Sequence, residues 1–203
     1  MTAELRLVVM RHGATALTHR VVNGSGPHAA DPPLTEEGYE QVAWARQRLA
    51  DIGRPSECCS SPARRARQSA AAVGFAEPRV DDRIAEVDFG RWEGLSPTQI
   101  RQADPNAFAR WWAQPEVAPP GGTSLADAAA GFRSLIDSLL AESRAVDVLV
   151  VGHATTVRVG TALALGLPLT ESARVQAPPG VVAELRFWSD GGSCLDSLDW
   201  ARP

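Results

Sequence analysis

Lysine is absent from the 203-residue chain, so all 20 of its basic residues are arginines. Any permanent cation it offers a ligand is therefore a planar guanidinium, shaped to fork onto phosphate or carboxylate. With 24 acids the formal net charge is -4, which argues against a general affinity for nucleic acid, since that rests on a basic surface. Cysteine is scarce: three residues, two of them adjacent at Cys58 and Cys59. They make neither a disulfide framework nor a metal-ligand spacing. Neighbours on a strand point to opposite faces. Small apolar packing is expected of all three, with one of the adjacent pair inside and the other under a helix. Long apolar runs are missing too. The uncharged stretch from Val159 to Thr170 contains Pro168 and falls far short of the ~20 residues that span a bilayer. Glu4 and Arg6 interrupt the first apolar run, which does not read as a signal peptide, so the expectation is a cytoplasmic protein that does not act on membranes. Several motifs are absent as well. The four histidines form no H-x-H or H-E-x-x-H, and no aspartates cluster, so metal catalysis is not expected. There is no phosphate-binding G-x-x-x-x-G-K-[ST], no G-x-G-x-x-G after a strand and no G-x-S-x-G elbow. No cofactor is implied.

The remaining composition, 44% apolar and 22% charged, is that of an ordinary globular protein, and the length suits one domain over residues 1–203. Leu5 to Met10 is a continuous aliphatic run of the kind that forms a strand covered on both faces, and Arg11-His12-Gly13 follows at once. Thr35 to Ile52 reads as a helix capped by Thr35, with Glu36 and Glu37 at its positive end and Gly53 and Pro55 beyond its stop. Glu57 to Ser60 is a second short strand, and Pro62 opens a helix that Gly74 ends. Ser124 begins the clearest helix: Leu125, Ala128, Ala129, Phe132, Leu135, Ile136 and Leu139 recur at helical spacing, and Asp127 completes a capping box. Val146 to Val151 is another buried strand, running into Gly152-His153-Ala154 and a helix that reaches Gly166. Val181 to Trp188 and Cys194 to Trp200 flank Ser-Asp-Gly-Gly, a hairpin signal. Alternating strands and helices predict a three-layer αβα sandwich with a mainly parallel central sheet. The proline- and glycine-rich stretch from Ala113 to Gly122 reads as a loop, within a lid or insertion region of about residues 87–122.

Both strong strands end in a histidine. Ligands of open α/β sheets bind outside the carboxyl ends of the strands, so His12 and His153 are expected to face one crevice. Arg11, Gly13 and Thr15 make the first strand end an anion site, in which a neutral imidazole can attack phosphorus and form a phosphohistidine. In Ser61-Pro62-Ala63-Arg64-Arg65-Ala66-Arg67 one arginine can reach that crevice. At ~100° per residue Arg65 cannot share the direction of Arg64 or Arg67, which read as solvated. Ile84 to Gly94 offers Glu86, Asp88 and Glu93. A carboxyl beside a phosphate has its pKa raised and can protonate a departing alkoxide, and periodicity does not choose between Glu86 and Asp88.

Taken in order, these motifs resemble the histidine phosphatase superfamily, the phosphoglycerate mutase-like group. Arg11-His12-Gly13 resembles its signature, with His12 as nucleophile. Asp31-Pro32-Pro33-Leu34-Thr35-Glu36-Glu37-Gly38 is similar to its D-x-P-L-T-x-x-G segment, and Ser61-Pro62-x-x-Arg65-Ala66-x-Gln68-Ser69-Ala70 to its S-x-x-x-R-A-x-Q-T-A helix. The latter match selects Arg65 as phosphate ligand. Glu86 in E-x-x-F-G-x-W-E-G matches the proton donor, Pro120-Gly121-Gly122-x-Ser124 the P-G-G-E-S turn, and Gly152-His153 the second catalytic histidine, with Arg158 at the family's spacing. The resemblance implies catalytic roles for His12, Glu86, His153, Arg11 and Arg65. His153, protonated, stabilises the phosphoryl oxygens with the two arginines.

The chain also departs from that pattern. Thr18 stands where the family has a phosphate-touching asparagine, Thr123 replaces a Glu, and Ala154 replaces the Gly after the second histidine. Thr15, Thr18, Asn23, Gly24 and Ala154 are the expected substrate-binding positions. His19 and His28 are expected at the surface; Arg110, Trp111 and Trp112 either shape the leaving-group pocket or anchor the lid, with anchoring slightly favoured. Mutases of the group carry a longer basic insertion after the proton donor, whereas Leu95 to Gly121 holds only Arg101 and Arg110. The resemblance therefore favours the phosphatase branch, similar to α-ribazole and broad-specificity phosphatases. The expected activity is a metal-independent phosphomonoesterase acting on a small phosphorylated metabolite. The alternatives are a cofactor-dependent mutase and a non-catalytic phospholigand-binding relative. A homodimer through the Cys194 to Trp200 strand is the one macromolecular partnership expected.

Overall fold

The computed structural model describes residues 3–142 and 146–201. Its centre is a six-stranded sheet of order β3-β2-β4-β1-β5-β6, in which β1 is Glu4–Arg11, β2 Glu57–Ser60, β3 Arg79–Val80, β4 Val146–Gly152, β5 Val182–Trp188 and β6 Ser193–Asp199. The first four strands pair in parallel, and β5 and β6 add antiparallel pairs at one side. The sheet is thus mixed and mostly parallel, as the alternation predicts.

Strand alternation sorts the core into two layers. Leu5, Leu7 and Val9 of β1 and Val148 and Val150 of β4 face α5 (Leu125–Ala141) and α6 (Ala154–Ala164). Val8, Met10, Leu149 and Val151 face the opposite way, onto α1 (Glu36–Asp51) and α2 (Arg64–Ala72). Continuous apolar runs are what such doubly covered strands require. Cys59 joins the first layer and Cys58 the second, so both adjacent thiols are buried, on opposite faces. Cys194 departs from the expected apolar packing. It sits half-buried on β6, the edge strand, and its thiol donates to Asp196.

The helix starts follow their capping chemistry. Thr35 accepts from the Gly38 N–H, and Ser124 and Asp127 form the reciprocal capping box. The stretch after Ala113 is irregular, as expected, and two helices, α3 (Pro97–Ala103) and α4 (Ala107–Ala113), precede it within the lid region. Ser96 caps α3 with Gln99 in a second capping box, and Pro97 takes its first position. Val87, Phe89, Trp111 and Leu125 form a third, small apolar cluster beneath this region, with Trp92, Phe108 and Trp112 packed against it.

Candidate active site

Pairing register brings the two histidines together. Arg11 of β1 is the partner of Gly152 of β4, so the residues that follow, His12 and His153, leave the sheet side by side. The His12 N–H donates to the Gly152 carbonyl at 3.0 Å, and the two rings lie 5.2 Å apart, edge to face. The His12 Nδ1 sits 2.7 Å from the Gly13 carbonyl oxygen. A carbonyl only accepts, so the ring proton is on Nδ1 and the lone pair is on Nε2. Burial, with Arg11 and Arg65 beside it, pushes the His12 imidazole well below its ordinary range, and the ring is neutral in the free site.

His153 is fully buried, and burial together with the facing Arg65 lowers it in the same way. The resemblance implies a protonated His153, but the free pocket holds it neutral, because burial and the neighbouring Arg65 and Arg11 all disfavour a cation there. One His153 nitrogen, Nε2, lies 2.7 Å from Ser61 Oγ, and the other, Nδ1, lies 3.4 Å from Arg65 Nη2.

Arg65 is the arginine of its cluster that turns inward. It is 2% exposed, whereas Arg64 and Arg67 are exposed. Its Nε donates to His12 Nε2 at 3.3 Å and its Nη2 to the Gly24 carbonyl at 3.1 Å. Arg11 donates through Nη1 to the Ala177 carbonyl, and among the described residues its buried Nε has no partner. Burial lowers Arg11 to about 10, so it remains a cation at neutral pH. Two guanidiniums and an unsatisfied donor define an anion-binding pocket.

Of the three acids, Glu86 lines this pocket, and its charge acts on Arg11, Arg65 and Arg158. Asp88 instead accepts from the Gly90 N–H and stabilises a turn. Glu93 accepts from the Gly24 N–H at 2.9 Å and the Phe89 N–H at 3.0 Å, tying the loop after β1 to the start of the lid. The cavity is about 150 Å³, with Leu17, Val21, Val22 and Phe89 making an apolar wall.

The secondary positions divide. Thr15, Thr18 and Asn23 line the cavity, and the Thr18 hydroxyl accepts from the Thr15 N–H. Gly24 does not face it: a Cβ there would stand 1.9 Å from the Val87 carbonyl oxygen, and the residue contributes its backbone to the wall behind Arg65. Ala154 is likewise outside the cavity, because it is the first residue of α6 and its methyl packs against the main core. His28 is exposed, while His19, also exposed, stands at the cavity rim with φ 64°. Arg110 of α4 pairs with Asp104, the residue after α3, and Trp111 packs against Phe89 and Trp112, so this trio holds the lid together. Arg158 donates to the Val175 carbonyl and lies over the Trp112 ring. Ser61 and Glu93 carry contacts that the motifs alone did not assign.

A family model described as the histidine phosphatase superfamily (branch 1) matches residues 7–199. The chain is similar to a bifunctional protein of Mycobacterium tuberculosis, 33% identical over 194 residues; the match covers 94% of this chain and 52% of the relative, so the chain spans about half that protein's length. An acid phosphatase of the same species is 31% identical over 184 residues, covering 90% of this chain and 86% of the relative. A solved structure of mycobacterial glucosyl-3-phosphoglycerate phosphatase superposes with a TM-score of 0.84 at 28% identity, over 98% of this chain and 100% of the other. Motif order, sheet topology and these matches agree, and the chain belongs to the histidine phosphatase superfamily, branch 1.

Proposed function

We propose that this protein is a phosphoric monoester hydrolase. It acts on a small phosphorylated metabolite, without metal or organic cofactor, through a phosphohistidine on His12. The observation that carries this reading is the His12 ring itself: neutral, pinned through Nδ1, and presenting the Nε2 lone pair beside two buried guanidiniums.

In the first step Nε2 forms a bond to phosphorus as the ester P–O bond breaks. Arg11 and Arg65 neutralise the phosphoryl oxygens, whose charge is greatest in the transition state. Glu86 transfers its proton to the leaving oxygen and becomes a carboxylate. In the second step Glu86 takes a proton from water, which attacks phosphorus as the P–N bond breaks. His12 is regenerated and Glu86 is again protonated.

Hydrolysis is favoured over phosphate transfer between positions of one substrate. Arg110 is engaged with Asp104, Arg101 is exposed, and neither lines the cavity. Among the described residues, Arg11 and Arg65 are the arginines that line the cavity, which leaves none for a second phosphate. The acid phosphatase and glucosyl-3-phosphoglycerate phosphatase relatives support the same choice.

The test is phosphate release from p-nitrophenyl phosphate in EDTA by the intact protein and by His12→Ala. Release that survives the chelator and disappears in the variant is expected. Activity retained by His12→Ala overturns the nucleophile. Isomerisation of phosphoglycerate on adding a bisphosphate, without net release, would make the protein a mutase. Tight phosphate binding with neither activity would make it a binding relative.

A further inference from the structure

Ser61 is placed by the same strand ends that place the histidines. Its N–H donates to the Val151 carbonyl at 3.0 Å, continuing the β2–β4 pairing by one residue. Its hydroxyl therefore lies 2.7 Å from His153 Nε2, with both residues buried. The Ser61 oxygen also accepts from the Ala63 N–H at 3.3 Å. On the other side of the ring, Arg65 Nη2 approaches Nδ1 at 3.4 Å. A guanidinium only donates. In the free site, then, Nδ1 carries the lone pair and Nε2–H donates to Ser61.

A phosphoryl group reverses the demand on Nδ1, because its oxygens only accept. The ring must then present a proton at Nδ1, either by gaining a second one or by moving the one it has. A second proton would add a third cation to a site in which Arg11 and Arg65 already balance the two charges of a phosphate dianion, and burial disfavours that third charge. A carboxylate or carbonyl in place of Ser61 would lock the proton on Nε2. A hydroxyl can accept from Nε2–H in one state and donate to bare Nε2 in the other.

We propose that Ser61 is a positioning residue for His153: its hydroxyl donates to Nε2 when an anion occupies the site, which sets the ring proton on Nδ1, toward the phosphoryl oxygens, with the imidazole still neutral. The ring holds one proton throughout. Nδ1 takes a proton from water as Nε2 gives its own up by way of the Ser61 hydroxyl, which then points its O–H back at Nε2, so that one proton enters, one leaves and there is no net uptake. Only the kinetic part of this inference rests on the phosphatase reading.

The experiment is ¹⁵N NMR of histidine-labelled protein, free and saturated with inorganic phosphate, with His153→Gln assigning the ring. The two nitrogen shifts separate the Nδ1–H, Nε2–H and doubly protonated rings. The expected result is Nε2–H in the free protein and Nδ1–H in the phosphate complex. In Ser61→Ala no group fixes the state of Nε2, so the complex should show a mixture of tautomers in place of Nδ1–H alone, phosphate should bind about 10-fold more weakly, and turnover should fall by a similar factor. The His12 signals should not move, and Ser61→Thr, which keeps the hydroxyl, should restore the Nδ1–H form. An imidazolium or an Nε2–H ring in the wild-type complex overturns the proposal, as does a Ser61→Ala protein with unchanged tautomer and affinity. Should Ser61→Ala not fold, the wild-type spectra decide alone. A tautomer change in a protein that releases no phosphate would refute the hydrolase reading and leave the role of Ser61 standing.

Discussion

Gly13 and Gly38 meet backbone to backbone. A Cβ on Gly13 would lie 2.2 Å from the Gly38 carbonyl oxygen, and one on Gly38 would lie 2.2 Å from the carbonyl oxygen of Ala14. The first turn of α1 is thereby pressed onto the turn that carries His12, and the Thr35 N–H donates to the same Ala14 oxygen at 3.0 Å. Both partners of the clash are backbone, so neither can rotate away. Gly38→Ala should cost about 1–3 kcal/mol of stability, the range for forcing extra atoms into a packed site. Because α1 must shift away from the His12 turn, turnover should fall as well. Urea unfolding and steady-state phosphate release on the same preparation check both.

Glu93 holds two N–H groups with one carboxylate, that of Gly24 in the loop after β1 and that of Phe89 at the lid. The Gly24 carbonyl in turn receives Arg65. Glu93→Gln keeps the shape but turns one acceptor into a donor facing an N–H. The loop should loosen and Arg65 lose its rest position. The expected effect is a roughly 10-fold fall in kcat/KM, as for partners that orient a site's contacting groups, with little change in fold. Steady-state kinetics with circular dichroism would show it; unchanged kinetics would mean that Glu93 only packs.

The two buried imidazoles set a pH dependence of stability. Both folded values are pushed well below the ordinary 6.5. As pH falls through 6.5 the unfolded chain takes up protons at these two positions and the folded protein does not. The unfolded state therefore binds more protons, and stability is full above 6.5 and lost progressively below it. The slope should approach ~1.4 kcal/mol per pH unit for each ring. Denaturation midpoints between about pH 7.5 and about pH 5 should show this, and His153→Gln should remove about half of the slope. Inorganic phosphate should raise the midpoint at each pH, since it binds the folded state only. A flat profile would mean that the rings accept protons while folded.

What the sequence made readable follows from how local each cause is. The strands at Leu5 and Val146 announce themselves by apolar runs, and the helices at Thr35 and Ser124 by their caps. That the His12 and His153 rings lie side by side follows from the rule for strand ends, without knowledge of the β1–β4 register. The choice of Glu86 over Asp88 was not readable from alternation, because both occupy the same face of an extended segment. The turn in which Asp88 holds the Gly90 N–H separates them. The partnership of Ser61 with His153 joins residues 92 apart in sequence and exists only once β2 lies beside β4. The helix α3 was within reach, since Ser96, Pro97 and Gln99 form a legible start signal. Ala154 begins α6 and packs its methyl group against the main core, a contact set by how α6 lies on the sheet and not by the motif around His153.

Arg65 makes the sharpest test of how the site binds an anion. One guanidinium spans His12 Nε2, the Gly24 carbonyl and His153 Nδ1 through nitrogens fixed in one plane. Lysine carries the same charge as a compact point on a flexible stem and cannot reproduce that fork. If charge alone held the phosphoryl group, Arg65→Lys would be nearly neutral. If the fork positions both the phosphoryl group and the two rings, the variant should bind phosphate only about 10-fold more weakly while kcat falls by ~100-fold or more, because orientation in the transition state is lost beyond ground-state attraction. Phosphate affinity by calorimetry and kcat on one ester substrate separate the two cases. An equal loss in both would show that Arg65 acts as a charge and not as a positioned fork.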